Sequence, residues 1–315
     1  MTELILHHFD WSPFAEKARL ALGLKGLAWS SVQIPMTMPK PDLMPLTGGY
    51  RKTPTLQVGA DVYCDTRLIA RELERRFPAP SLFPGGNRGL SLALSQWSDT
   101  AFFEPGAGLS MGLAREVPKA VVDDRKQFFN FMDFSRLAAD VPHMLAQLRA
   151  NADLLEQQLE DGRDFLLGAV PGWADITCYF PLWMARTFVP AAAPFLAPFT
   201  RTARWEARVQ AIGHGRRGDI DGPTALSCAF AAQPEPGHGV DPQDPLGLEA
   251  GEWVSVTPED YGKVPVAGEL ITLETHEVAL RREDPRVGVV VTHFPRIGYR
   301  VTRLNRAIVG TEGLL

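Results

Sequence analysis

Apolar and polar positions near the start of the chain predict a short strand that runs into an amphipathic helix. The strand begins with the apolar run 4–6, and His7 and His8 follow it. After it, Ser12 suits the N-cap, where its oxygen accepts a backbone N–H, and Pro13 suits the first helical position, where no N–H is needed. The apolar face of the helix follows at helical spacing: Phe14, Ala18 and Leu22. We expect the charged side chains to point away from this face: Glu16, Lys17 and Arg19.

The chain from there to about residue 78 alternates between strand patterns and one more helix. Residues 29–34 alternate as a strand does, and the proline-rich segment 36–46 predicts an irregular loop with at most a short helix. A Thr53-Pro54 step leads into an alternating run, for which a trans peptide at a strand start is the commoner case. Asp65-Thr66 then opens a helix that Pro78 ends. Its apolar face is Ile69, Leu73 and Phe77, and we expect its charges to face outward: Arg67, Arg71, Glu72, Glu74, Arg75 and Arg76.

Helical patterns dominate the middle of the chain, and strand patterns return near its end. A Pro- and Gly-rich segment at 78–88 predicts a linker, and a long amphipathic helix covers 141–159. Asp175 suits the third position of a further helix, reaching back to an N-cap that is Gly172 instead of a hydroxyl residue. One more helix is marked by Trp205, Val209 and Ile212, and the Gly- and Pro-rich segment after it could hold a short helix around 224–232. Five short alternating segments after residue 251 predict a small barrel or curled sheet.

Composition and charge narrow the classes of function. A hydrophobic content of 45% over 315 residues is enough for two ordinary domains and a small third one. The net charge of −5 gives no general attraction to nucleic acid or anionic membrane. The segment 281–306 contains seven arginines and only two acidic residues, which gives it a local excess of positive charge. Docking of this basic face on an acidic neighbour is favoured over binding of nucleic acid. The sequence shows no signal-peptide pattern and no uninterrupted apolar segment long enough to span a membrane, so we expect a cytoplasmic protein. Its three cysteines are scattered and indicate neither a disulfide framework nor a zinc site, so we expect no metal.

The order of these elements within the first eighty residues resembles the thioredoxin-like domain of the glutathione transferases. The segment Ser-Pro-Phe-Ala-Glu-Lys-Ala-Arg-Leu, at 12–20, is similar to the omega-like and bacterial branches, where the first position is Ser or Cys. The resemblance covers residues 1 to 212. It implies an α/β thioredoxin-like domain at 1–78 and an all-α domain at 88–212, with a Gly- and Pro-rich linker at 213–251 and a β-rich extension at 252–309 beyond the family pattern.

The same resemblance implies a glutathione site. Ser12 would activate the thiol, and Thr53 before a cis Pro54 would pair with the cysteinyl part of glutathione. Asp65 would receive the γ-glutamyl ammonium group, and Thr66 its carboxylate. For the glycyl carboxylate the loop offers Lys40, Arg51 and Lys52, of which we favour Lys40. From the residues alone, Ser12, Asp65 and Thr66 can be helix caps, and a cap can also bind a ligand. The family spacing of the two helix starts and the Thr-Pro between them favours the ligand site.

The electrophile would lie against aromatic residues, although such clusters are more often core than pocket. The residues considered are Trp11, Phe102 and Phe103, the last two beside Trp97. Cys64 lies next to the predicted site, where a packing role is favoured over chemistry. His7 or His8 could approach the thiol, but hydrogen-bonded strand-end histidines are commoner.

Two functions follow from the resemblance. The first is a glutathione transferase, which transfers an alkyl or aryl group of a small electrophilic molecule to glutathione in detoxification. The second is a non-catalytic binding protein that acts through its C-terminal extension. The family also implies a homodimer.

Overall fold

The computed structural model describes residues 3–113 and 117–304, so Arg306 and positions 305–309 of the predicted extension lie outside the described residues. Within that part of the chain no helix is both long and apolar enough to cross a membrane. The strands are β1 (Leu4–His8), β2 (Ala28–Gln33), β3 (Thr55–Val58), β4 (Asp61–Cys64), β5 (Arg216–Asp219), β6 (Gly239–Val240), β7 (Trp253–Pro258), β8 (Val266–Leu273), β9 (Glu277–Asp284), β10 (Gly288–Pro295) and β11 (Tyr299–Arg303). The helices are α1 (Pro13–Leu24), α2 (Met44–Thr47), α3 (Thr66–Arg76), α4 (Arg88–Trp97), α5 (Phe103–Leu113), α6 (Lys119–Phe128), α7 (Leu137–Gln158), α8 (Trp173–Phe188), α9 (Ala193–Leu196), α10 (Thr200–Gln210) and α11 (Gly222–Phe230).

One compact unit is built on a single large sheet and combines residues 3–10, 29–69 and 218–304. The strand order is β11-β7-β8-β9-β10-β4-β3-β1-β2-β5, with β6 beside β8. β1 runs parallel to β2 and antiparallel to β3, which is antiparallel to β4. This first part is the strand arrangement of a thioredoxin-like domain, as expected from the resemblance.

The five C-terminal strands continue this sheet. We call β7 to β11 the C-terminal extension, residues 253–303. They form an antiparallel series whose member β10 pairs parallel to β4, from Val291 opposite Asp61 to His293 opposite Tyr63. The predicted strands are therefore present, and they join the sheet of the first four strands through β10 and β4. The physical reason is that β4 would otherwise be an edge whose backbone N–H and C=O groups need partners, and β10 supplies them.

A buried histidine lies at the seam between β4 and the C-terminal extension. His293 Nε2 is 3.1 Å from Asp61 Oδ1 and its Nδ1 is 2.7 Å from Glu277 Oε1. Its ring stacks on Tyr63, with 4.4 Å between the centroids. Although burial opposes the charged form, the two carboxylates raise the pKa of His293 to about 9. The seam is therefore held by a buried imidazolium between two acids as well as by backbone pairing.

Part of the basic face predicted at 281–306 docks on the same unit. Arg286 pairs with Asp42 at 2.6 Å and also donates to the carbonyl oxygen of Pro41. Arg282 donates to the carbonyl oxygen of Pro45 at 3.3 Å. These arginines tie the C-terminal extension to the irregular loop 36–46, in agreement with docking on the protein's own body.

The second compact unit is helical and combines the described residues of 11–28 and 70–217. α8 is its most buried helix, and Asp175 Oδ2 accepts from the Gly172 N–H at 3.0 Å, as predicted for the capping position. A Cβ at Gly172 would lie 2.7 Å from Pro84 Cδ and 3.0 Å from the carbonyl oxygen of Leu82. Close packing of the preceding linker therefore explains why glycine stands where the family pattern has a hydroxyl residue.

The expectation that charged residues of α1 point outward is wrong. Glu16, Lys17 and Arg19 are all buried. Lys17 Nζ pairs with Asp99 Oδ1 at 2.6 Å and lies 4.6 Å from the centroid of the Phe14 ring, while Arg19 and Glu16 pair with each other at 2.7 Å. Helical spacing places these residues away from the apolar face, but it could not show that their side chains are covered and that their charges are paired.

The same correction applies to two acids of α3. Glu72 and Glu74 are buried instead of facing outward. Glu72 accepts from Arg75 and Arg76 on its own helix, and Glu74 pairs with Lys25 at 2.7 Å. Each buried carboxylate thus has a cationic partner, which is the condition for burying a charge at tolerable cost.

Candidate functional site

The turn at Ser12 has the predicted cap geometry. Ser12 is extended, with φ −78° and ψ 119°, and its Oγ accepts from the Ala15 N–H at 3.2 Å. Pro13 takes the first helical position, as predicted. The cap uses one lone pair of the hydroxyl oxygen, and a hydroxyl also carries one hydrogen that it can donate. Ser12 belongs to the helical unit and is almost fully buried.

The Thr53–Pro54 peptide lies in the sheet unit and is cis, as the resemblance implies. Lys40 Nζ donates to Thr53 Oγ1 at 3.0 Å and to the Arg51 carbonyl oxygen at 3.1 Å. Lys40 is 3% exposed, so its charge is held close to the backbone at Thr53. Two of the predicted residues, Lys40 and Thr53, are therefore in direct contact.

Lys52 is held by the C-terminal extension. Its ammonium group pairs with Asp260 and lies 4.3 Å from the centroid of the Tyr261 ring. Burial lowers the pKa of Lys52, while Asp260 acts in the opposite direction. Sequence reasoning weighed Lys52 as a ligand but had no signal for these partners, which lie more than 200 positions away.

The turn that opens α3 places Asp65 in a left-handed conformation, with φ +74°. This conformation is uncommon for a residue with a side chain, although aspartate tolerates it better than most. Asp65 Oδ1 accepts from the Arg67 backbone N–H at 2.9 Å and from Arg67 Nε at 3.1 Å, and its Oδ2 is 2.8 Å from Arg67 Nη2. Thr66, the first residue of α3, is buried beside it.

A residue of β11 also reaches this turn. Tyr299 donates its hydroxyl hydrogen to Asp65 Oδ2 at 3.2 Å, and its oxygen is 3.0 Å from the Tyr50 hydroxyl. Sequence reasoning missed both Arg67 and Tyr299 as partners of Asp65. The short separation of Arg67 from Asp65 could have indicated the first; nothing in the local pattern indicates the second.

The aromatic residues considered for the electrophile differ in exposure. Trp11 is 61% exposed, whereas Phe102 is completely buried and Phe103 nearly so. Phe102 stacks on Trp97 at 5.1 Å, and Phe103 contacts Phe14 edge-on at 4.8 Å. This packing favours the core interpretation of Phe102 and Phe103 that the sequence left open, because close-packed rings leave little surface for a ligand.

Histidine and cysteine side chains near the sheet have structural surroundings. His7 Nε2 is 2.8 Å from Gln57 Oε1, and burial lowers the pKa of His7 to about 4, so it is neutral at physiological pH. His8 Nε2 is 3.0 Å from Ser31 Oγ. Cys64 is completely buried, and burial raises the pKa of its thiol well above the usual range. In residues 3–113 and 117–304 no group of three or more His, Cys, Asp or Glu side chains is arranged to hold a metal ion.

Comparison with known proteins identifies two family domains. Residues 6–81 match the glutathione S-transferase N-terminal domain, and residues 136–208 match the glutathione S-transferase C-terminal domain. No curated protein sequence matches the chain significantly.

Solved structures give similarity over different lengths. A GST-like protein from Pseudomonas syringae is 40% identical with a TM-score of 0.79, covering 96% of this chain and 100% of that one. A glutathione S-transferase from Rhodospirillum rubrum F11 is 22% identical, and FzlA from C. crescentus is 24% identical; both have a TM-score of 0.51 and cover 66% of this chain and 88% of their own. These two share the fold, while the uncovered third of this chain has no counterpart in those alignments. The alignment with the Pseudomonas syringae protein leaves out only about 4% of this chain. The Pseudomonas syringae protein therefore also contains most of the C-terminal extension.

Proposed function

The chain belongs to the glutathione S-transferase family, and from this premise we propose that it binds glutathione and activates its thiol for attack on a small electrophilic apolar compound. Glutathione is the co-substrate, and no metal takes part. Ser12 is the residue proposed to act on the sulfur, and the sheet unit carries the residues proposed to hold the peptide: Lys40, Thr53, Pro54, Asp65 and Thr66.

The observation that carries this proposal is the arrangement around Thr53. A cis peptide before Pro54, a buried cation on the Thr53 side chain and an acid at the start of α3 occur in one compact unit. The backbone of Thr53 can pair with an extended peptide, and Lys40 supplies positive charge for a carboxylate. The start of α3 is also the positive end of a helix dipole, which favours an anion. Glutathione has two carboxylates, one ammonium group and a peptide backbone, so each of these features has a matching group in the ligand.

Ser12 can supply the energy that thiolate formation needs. A free thiol has a pKa near 8.5, and each unit of lowering needs about 1.4 kcal/mol of preferential thiolate stabilisation. A hydrogen bond to a charged group contributes roughly 1.5 to 3 kcal/mol. Donation from the Ser12 hydroxyl would therefore lower the pKa of the thiol by about one to two units. The proton leaves to solvent, the sulfur forms a bond to the electrophilic carbon, and the leaving group departs with its electron pair.

A serine at position 12 disfavours thiol transfer, a related reaction of glutathione. A hydroxyl cannot form a mixed disulfide with glutathione, so thiol transfer through residue 12 is disfavoured. Cys64 is a poor substitute, because its thiol is completely buried and its pKa is raised. The proposal is therefore conjugation or displacement of a leaving group.

Family membership also supports two further parts of the proposal: that the chain forms a homodimer, and that it acts in detoxification in the cytoplasm. Light scattering of the purified chain tests the first, because a monomer at micromolar concentration would contradict it.

The experiment that tests the function is calorimetric titration of glutathione into the wild type and Ser12→Ala, with a parallel rate assay on a generic aryl halide. We expect Ser12→Ala to keep its affinity within a few-fold and to lose ~10-fold or more in rate, the equivalent of at least one pKa unit. Asp221→Ala is the matched control, because Asp221 caps α11 through the Thr224 N–H and its loss costs a helix cap elsewhere.

Two outcomes would contradict the proposal in different ways. A wild type that gives neither binding heat nor turnover would exclude a glutathione site. A wild type that binds glutathione but turns over no electrophile would leave the non-catalytic binding protein as the better description.

A further inference from the structure

The C-terminal extension reaches the proposed glutathione site through a hydrogen-bond chain of two tyrosines. The Tyr50 and Tyr299 hydroxyls are 3.0 Å apart, and Tyr299 is 3.2 Å from Asp65 Oδ2. An ionised carboxylate only accepts hydrogen bonds, so Tyr299 donates to Asp65 and Tyr50 must donate to Tyr299. Burial raises the pKa of both tyrosines well above the usual range, so both keep their protons at neutral pH.

Tyr299 is fixed by packing independently of the turn that it contacts. Its ring lies 5.8 Å from Phe294 and 6.4 Å from Tyr50, between centroids, and all three residues belong to one buried cluster. The other donors described above for Asp65 belong to Arg67, two positions further along the same turn, whose Nη2 also donates to the Ile297 carbonyl oxygen of the C-terminal extension at 3.4 Å. Tyr299 therefore ties the Asp65 turn to a rigid part of the sheet.

The same tyrosine connects both segments that carry the proposed site. Tyr50 precedes Thr53 by three positions, and Asp65 directly precedes Thr66. A single side chain of the C-terminal extension thus lies between the segment proposed to bind the cysteinyl part of glutathione and the turn proposed to bind the γ-glutamyl part. The pairing of Lys52 with Asp260 is a second tie from the C-terminal extension to the first of these segments.

We infer that Tyr299 is a positioning residue for the γ-glutamyl end of glutathione, acting through Asp65, so that the site depends on the C-terminal extension. This inference rests on the proposed function. Asp65 meets the α-ammonium group, and Tyr299 keeps the carboxylate of Asp65 directed at it. Residues 253–303 are then part of the binding site and not an appended domain.

The test is a comparison of two ligands in three proteins by calorimetric titration. The ligands are glutathione and its analogue without the α-amino group. The proteins are the wild type, Tyr299→Phe, and Thr302→Val as a matched control that removes an exposed hydroxyl from the same strand. Tyr299→Phe keeps the ring and its packing, and equal melting temperatures would confirm that it folds.

We expect the Kd of Tyr299→Phe for glutathione to rise ~3- to 10-fold, while Thr302→Val matches the wild type. The analogue should bind the wild type and Tyr299→Phe equally, because it has no ammonium group for Asp65 to meet. Tyr50→Phe leaves the bond from Tyr299 to Asp65 in place and should show a smaller rise.

Several outcomes would overturn the inference. Equal loss of affinity for both ligands would indicate general loosening of the site, and unchanged or tighter glutathione binding would show that the hydroxyl does not position Asp65 for the ligand. If the wild type itself does not bind glutathione, the proposed function fails and the inference with it. If the wild type binds and Tyr299→Phe binds equally well, only the inference fails.

Discussion

Raising the pH above neutrality should weaken the seam between β4 and the C-terminal extension, because His293 must lose its proton there. Its folded-state pKa of about 9 compares with about 6.5 in an unfolded chain. Between these two values the folded protein holds a proton that the unfolded chain releases, so rising pH favours unfolding. The stabilisation is complete below pH 6.5 and is lost as the pH passes through about 9. A difference of two to three pKa units corresponds to roughly 3 kcal/mol in the free energy of unfolding.

The measurement is urea-induced unfolding of the wild type and His293→Gln at pH 6, 7.5 and 9.5. Glutamine is neutral at every pH and keeps one N–H donor for Asp61 or Glu277. The wild type should exceed His293→Gln in stability at pH 6, and the difference should fall by roughly 3 kcal/mol by pH 9.5. His276→Gln is the matched control, because His276 precedes the same strand β9 with its side chain 42% exposed. A difference between wild type and His293→Gln that stays constant from pH 6 to 9.5 would refute the reasoning.

Three further predictions concern packing, a buried charge and thiol reactivity. Gly172→Ser should lower the free energy of unfolding by ~1–3 kcal/mol, because the added Cβ meets Pro84, although serine is preferred at an N-cap. Thermal unfolding measures this change, and a gain in stability would contradict the prediction. Lys17→Met should lower the free energy of unfolding by ~3–5 kcal/mol, because it leaves the charge of Asp99 with less compensation. In urea unfolding, the double variant Lys17→Met with Asp99→Asn should recover most of that loss. A double variant that is as destabilised as Lys17→Met alone would count against the ion pair. In the native protein, iodoacetamide should modify Cys228 while the two buried cysteines react only after denaturation, as mass spectrometry of the peptides would show; early labelling of Cys64 would contradict its burial.

The elements of the fold were predictable where the signal is local. Ser12 and Pro13 define a helix start through their own backbone preferences, and alternation alone identified the five strands of the C-terminal extension. The partner of β10 was not predictable, because pairing depends on which edge of another sheet stays open, and Asp61 is distant along the chain. The burial of Lys17 was equally hidden, since its partner Asp99 lies 82 positions away in the sequence.

The residues of the candidate site also differ in whether a local sequence signal predicts them. Thr53, Asp65 and Thr66 follow from short motifs, and the contact of Lys40 with Thr53 joins residues only 13 positions apart. Tyr299 reaches Asp65 across 234 positions, so no periodicity or spacing could assign it. The aromatic residues Phe102 and Phe103 were ambiguous for a different reason, because apolar rings at helical spacing describe a core and a pocket equally well.

The joining of β4 to β10 also has a consequence for synthesis of the protein. Asp61 and His293 are separated by 232 positions, so β4 leaves the ribosome long before its partner exists. At translation rates of roughly 5 to 20 residues per second, the nascent chain carries an uncovered strand edge for about 10 to 50 s. Such an edge is a template for pairing with other chains. Premature termination before Gly288, where β10 begins, would therefore yield an aggregation-prone polypeptide and not a shorter, otherwise normal protein.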